Sequence, residues 1–179
     1  MGTTTGLVTV AEYERMQDPP GFRLELHHGE VVKVSFPTTD HAVVQDRIVD
    51  ALRSIASAEW KIRAELAFRP QQEHEVWSAD VGVMRMERWR SAHQQKVHPP
   101  GAPKIVIEVL SPSNTVREMY DRERTCFDGG CREFWVVDPD IREVHVTSPD
   151  GPRRTYRSGD QAPTVLLGGA TIAVDQIFH

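Results

Sequence analysis

Glu108 stands inside the run KIVIEVLSPS, with Ile105, Val106 and Ile107 before it and Val109 and Leu110 after it. A short apolar run of this kind reads as a strand buried on both faces, and a carboxylate placed in it is costly unless it is paired or bound to a cation. The segment VWSADVGVM repeats the arrangement around Asp80. Two acids on two apolar strands, with no basic residue inside either run, make a candidate divalent-metal site. The competing reading is a buried salt bridge from each acid to an arginine at the strand ends.

The neighbouring segments must bring these acids together. Val8 to Met16 reads as a short helix with Thr9 and Glu12 spaced as a capping box, and DPPGF ends it. FRLELHHGEVVKVSF predicts an antiparallel hairpin turning at His28-Gly29, with Phe22, Leu24 and Leu26 alternating on one side. From Asp40 to Trp60 the spacing of Val44, Ile48, Leu52 and Ile55 is helical, with Thr39 or Asp40 as the cap. Lys61 to Arg69 and Val76 to Met84 read as strands. Glu87 to Pro103, ending in HPPGAP, reads as a loose segment and a mobile flap.

After KIVIEVLSPS comes a helix over Asn114 to Asp128, then the strand EFWVVDPD. Strand, helix and strand form a crossover unit, which makes KIVIEVL and EFWVV parallel or close neighbours. On that helix Met119, Arg122 and Cys126 share one stripe, and Val116, Tyr120 and Phe127 a second beside it. Arg122 therefore reaches the strand ends or covers core with its stem and keeps its head in water. Glu118 fits a capping box with Thr115 and an ion pair with Arg122. The tail of the chain suggests a hairpin around Asp150-Gly151 and short terminal strands, TVLLGG and TIAV.

With 179 residues the chain fits one domain, 1–179, with residues 1–6 as a tail. No apolar run approaches the ~20 residues a membrane span needs, and the N-terminus lacks a basic leader, which points to the cytoplasm. Cys126 and Cys131 are too few for a disulfide framework and read as two reduced thiols. A net charge of −5 argues weakly against a large nonspecific nucleic-acid surface, although arginines cluster at 85–90, 122–132 and 153–157.

Taken in order, the blocks ELHHGEVV, a helix begun by His41 and bearing Gln45, Asp80 in a strand, IEVLSPSN, and GCREFWVVDPD resemble the Uma-two family of bacterial endonucleases. That family is placed in the PD-(D/E)XK nuclease superfamily. The resemblance implies an α/β (α+β) fold, a restriction-endonuclease-like mixed central sheet flanked by helices with an N-terminal antiparallel hairpin. It also implies Mg²⁺- or Mn²⁺-dependent hydrolysis of DNA, with Asp80, Glu108 and the Val109 backbone carbonyl as metal ligands. Ala79 stands where the family has Pro, and Leu110 where the superfamily has Lys. In this family a Lys on the following helix compensates, and the matching position here is Arg122.

The catalytic set is thus Asp80, Glu108 and Arg122, with His41 and Gln45 as substrate-positioning groups. Glu65 is a possible third carboxylate if its side chain points the right way; Glu25 and Glu30 are weaker candidates. A homodimer would serve to cut two strands and to bury exposed strand edges. The alternative, motivated by Ala79, Arg122 and the acidic net charge, is a degenerate nuclease fold that binds nucleic acid or a protein partner without cutting.

Overall fold

The computed structural model describes residues 6–179, so of the expected tail only Gly6 lies among the described residues. Helix α1 (Val10–Tyr13) starts at a complete capping box between Thr9 and Glu12, and is shorter than expected because the residues after Tyr13 are exposed and give it nothing to pack. Strands β1 (Phe22–His27) and β2 (Glu30–Ser35) pair antiparallel as a separate hairpin. Its two turn residues, His28 and Gly29, both have positive φ (51° and 79°), the geometry a two-residue type I′ turn demands. His28 is held there by carboxylates on both sides, Glu75 at 2.8 Å and Asp121 at 2.7 Å. Helix α2 (Thr39–Ile55) is capped by Thr38, and buries Val44, Ile48 and Leu52 as their spacing predicts.

Strands β3 (Trp60–Phe68) and β4 (Trp77–Arg85) form an antiparallel pair. The segment expected to be a loose flap contains helix α3 (Met86–Gln95). Its only buried residue is Ala92, so it carries almost no apolar period by which a sequence reading could find it. Then come β5 (Ile105–Val109), α4 (Val116–Asp128), β6 (Glu133–Asp138), β7 (Glu143–Thr147), β8 (Arg154–Tyr156), β9 (Gln161–Pro163), β10 (Thr171–Ala173) and α5 (Asp175–Phe178). The TVLLGG segment is largely turn, and the short terminal pair is β9 with β10.

The central sheet runs β3-β4-β5-β6-β7-β8 and is mixed: β5 and β6 are parallel, joined by the α4 crossover, and every other neighbouring pair is antiparallel. Ile105, Ile107 and Val109 of β5 join Ile48 and Leu52 of α2 and Ile177 of α5 in one core. On the other face Val106 packs with Phe134, Phe68, Trp77 and the two cysteines, which are buried and free. Alternation along β5 places Glu108 on this second face, with Val106. Met119 and Cys126 of α4 pack there too, and of the second stripe Phe127 joins them while Val116 and Tyr120 are exposed.

Gly82 lies on β4 beside the site, where a side chain would come within 3.0 Å of Leu66 Cβ. Gly82→Ala is expected to lower the unfolding free energy by about 1–3 kcal/mol in urea titration. Adding Leu66→Ala should recover part of that loss, and strictly additive losses would refute the contact.

Candidate active site

Strands β4 and β5 pair through Val83↔Ile105, Gly82↔Val106 and Val81↔Ile107. Continuing that register sets Asp80 opposite Glu108, and here the ladder stops. The Val109 N–H donates to Asp80 Oδ2 at 2.7 Å, so a side-chain oxygen takes the place of a backbone acceptor. Opposed residues of an antiparallel pair have Cα atoms roughly 4.5–5.5 Å apart, which makes these acids neighbours where the strands part. Val109 meets the site through its N–H.

On the α2 side, the amide Nε2 of Gln45 donates to Asp80 Oδ1 at 3.0 Å, and His41 Nε2 lies 3.2 Å from the same oxygen. The two residues are one helical turn apart and fix the carboxylate together. Gln45 Nε2 also donates to Glu65 Oε1 at 2.5 Å. Glu65 has φ 50°, an uncommon left-handed conformation for a non-glycine residue, and the β3–β4 ladder skips it between Ala64↔Val81 and Leu66↔Ala79. Strand alternation left its direction open; the local break turns its carboxylate toward Gln45, and backbone strain of this kind gathers at functional sites.

On the α4 side, Arg122 points inward. Its Nη1 donates to the Ser78 carbonyl at 2.9 Å and to Glu108 Oε1 at 3.2 Å, and Nη2 lies 3.6 Å from Glu25 Oε2. Its guanidinium carbon sits 5.1 Å from the centre of the Trp77 ring, and His27 stacks on Trp77 at 4.3 Å. The expected ion pair with Glu118 is absent among the described residues, because the guanidinium goes to buried acceptors while Glu118 closes the capping box with Thr115. The salt-bridge reading thus holds for Glu108 and not for Asp80, whose neighbours are an amide, an imidazole and a backbone N–H.

Glu25, ranked low from the sequence, is 2% exposed and belongs to this network. It accepts from Arg23 Nε at 3.2 Å and lies 2.7 Å from His27 Nε2. Arg23 also pairs with Glu65, so the hairpin and β3 are tied through one guanidinium. Glu30 lies at the exposed start of β2, opposite His27 in the hairpin register, and makes no side-chain hydrogen bond or ion pair among the described residues. The ELHHGEVV block does contain Glu25, but only the long-range packing of the hairpin on Trp77 and Arg122 shows which way it faces.

Burial is the main reason that Glu108 is pushed up to about 8, and the charges of Asp80 and Glu25 add to it against the opposing pull of Arg122. Burial acts on Glu25 in the same sense, but His27, Arg122 and Arg23 outweigh it and hold that carboxyl low. Arg122 is disfavoured by burial and still raised, because Glu108 and Glu25 hold its charge. With all four ionised, the carboxylates Glu25, Glu65, Asp80 and Glu108 face two guanidiniums and leave an excess negative charge the size of one divalent cation; without a cation, a proton on Glu108 removes part of it. Glu108 Oε2 receives no hydrogen bond from the described residues.

The model of the family described as "Uma2: Putative restriction endonuclease" matches residues 10–175. Among solved structures the chain is similar to a "putative nuclease belonging to DUF820" from Anabaena variabilis ATCC 29413, at 18% sequence identity and a TM-score of 0.79. The match covers 96% of this chain and 97% of the other, and at that identity it is a likeness of fold. No curated protein matches the chain.

A carboxyl raised in the folded state stabilises the fold fully below its unfolded value near 4.5, and that contribution is lost as pH rises toward about 8. Without divalent cations, Glu108→Gln should therefore gain on the native protein between pH 5 and pH 8.5, by roughly 2 kcal/mol or more in urea unfolding. A difference that stays constant with pH would mean that Glu108 is not forced toward its protonated form.

Proposed function

The chain belongs to the Uma2 family, and from that premise we propose that it is a metal-dependent endonuclease hydrolysing DNA phosphodiester bonds where β4 and β5 part. The observation that carries this reading is the pair Asp80 and Glu108, neighbours in register, with the free Oε2 of Glu108 beside a fixed Asp80 and an unbalanced negative charge around them.

The residues fit a hard divalent cation. Asp80 and Glu108 supply carboxylate oxygens, and the Val109 carbonyl is the third ligand we assign. Among the described residues no cluster of three or more His, Cys, Asp or Glu side chains converges for a metal, so water and substrate would have to fill the remaining positions around an Mg²⁺ or Mn²⁺ held by these three. When bound, such an ion polarises the phosphate and makes its water a stronger nucleophile.

The chain's own groups do the rest. Gln45 and His41 hold the Asp80 carboxylate in one orientation, and we assign them to position the substrate through it. Arg122 keeps a permanent positive charge beside Glu108 and stabilises charge developing on the phosphate oxygens. Raised as it is, it does not shuttle a proton. Water can instead be oriented or deprotonated from the Glu65 side, where Gln45 links that carboxylate to Asp80. We assign DNA as the substrate and a homodimer as the cutting unit.

In plasmid assays with Mg²⁺ or Mn²⁺, Asp80→Ala and Glu108→Gln should each lower cleavage on the order of 10²-fold or more. Calorimetry should show Mn²⁺ affinity rising with pH between 6 and 8, about tenfold per unit at most, as Glu108 gives up its proton. Binding that ignores pH, or cleavage untouched by Asp80→Ala, would overturn the proposal.

One observation favours a second reading, a binder that does not cut. Arg122 already spends its donors on Ser78, Glu108 and Glu25. In that case wild-type protein binds Mn²⁺ but leaves the plasmid intact, and Arg122→Lys, with a titratable donor in place, starts cleavage. If Arg122→Lys instead loses activity that the wild type has, the second reading fails.

A further inference from the structure

A second cluster of charge lies beside α3, apart from the four carboxylates. A cavity of about 440 Å³ between α3 and the loop 97–104 is lined by Arg69, Arg85, Arg88 and Lys104, with Glu87 as its one acid. Arg85 is already paired, with Glu59, and stacks on Trp60. The other three cations have no carboxylate within ion-pair distance among the described residues. The guanidinium of Arg88 donates to the carbonyls of Ala102, at 3.0 Å, and Gly101, while its Nε is buried with no partner. The Nε of Arg69 is likewise buried and unpartnered, and its side chain makes no hydrogen bond among the described residues. Lys104 uses one donor, on the Gly130 carbonyl at 3.0 Å.

Cations partly drawn out of water need a counter-charge, and none is within ion-pair distance of these three; burial lowers the pKa of Arg88 with no acid opposing it. Guanidinium groups match the oxygens of a phosphate group. Arg69, Arg88 and Lys104 set against Glu87 leave two positive charges, the complement of a dianion. We propose that this cavity is a binding site for a phosphate monoester dianion, separate from the candidate active site. Its size leaves room for more than the phosphate itself. The ligand is either a free phosphate compound or the phosphorylated end of a nucleic acid.

The test is calorimetry on the full chain in EDTA at constant ionic strength and pH 7.5, with inorganic phosphate, deoxyadenosine 5′-monophosphate, and a short duplex with or without 5′-phosphates as probes. Phosphate should bind saturably, at least tenfold more weakly in Arg69→Gln and several-fold more tightly in Glu87→Gln. For deoxyadenosine 5′-monophosphate, affinity should also fall below pH ~6, where a phosphate monoester becomes a monoanion. A duplex preferred only when 5′-phosphorylated assigns the site to nucleic-acid ends, and equal affinity for both duplexes assigns it to free phosphate compounds. Arg69→Gln must keep the wild-type circular dichroism for its loss to count, and the Glu87→Gln gain is read independently of it. No saturable phosphate binding beyond that of chloride, or binding unchanged in both variants, would overturn the proposal.

Discussion

The burial of Arg122 is the constraint on which the rest of this structure hangs. A guanidinium withdrawn from water must be met by acceptors of fixed geometry, and those it finds come from three strands: Glu25 of β1, Ser78 of β4 and Glu108 of β5. Removing one partner of a buried pair leaves an uncompensated charge, at a cost of about 3–5 kcal/mol. The N-terminal hairpin, a separate two-stranded sheet, is therefore tied to the main sheet through charge as well as through its Leu26↔Val76 bridge. Stacking of His27 on Trp77, and of Arg122 over the same ring, closes the hydrophobic side of that joint.

The same arrangement explains why the site is electrostatically unfinished. Glu25, gathering His27, Arg23 and Arg122, is the carboxylate that stays ionised in isolation. Glu108 shares Arg122 with it, faces Asp80, and is pushed toward its protonated form. Asp80 in turn cannot move away, since it caps the Val109 N–H left without a ladder partner. The fold holds two acids side by side at the point where the strands separate, and only a cation or a proton relieves their repulsion.

Much of this was legible in the sequence, and for definite reasons. The buried strand around Glu108, its parallel partner across the α4 crossover, and the inward stripe Met119, Arg122 and Cys126 all follow from period and length. Gln45 and His41 are where one helical turn puts them. Glu65 was not legible, because its direction depends on one left-handed residue that no alternation predicts. Nor was Glu25: Leu26 buries one side of β1, and that period assigns Glu25 to solvent until the hairpin is folded over Trp77. Helix α3 was hidden for the opposite reason, since its polar, arginine-rich face gives no period, and HPPGAP behind it reads as loop.

Arginine at position 122 carries a further consequence. A lysine ammonium is a compact charge whose donors diverge, whereas the planar fork of arginine can reach a backbone carbonyl and two carboxylates while its face lies on an indole. All four contacts are present here. The residue therefore acts first as the joint between hairpin, sheet and helix, and its charge is the more permanent for it. On the other flank of Asp80 the neighbours are of a different kind, the carboxylate of Glu65, the amide of Gln45 and the imidazole of His41. The division is physical: a fixed positive charge on the α4 side, an amide, an imidazole and a carboxylate holding Asp80 on the α2 side, and between them the paired acids, of which Glu108 is the one pushed toward its protonated form.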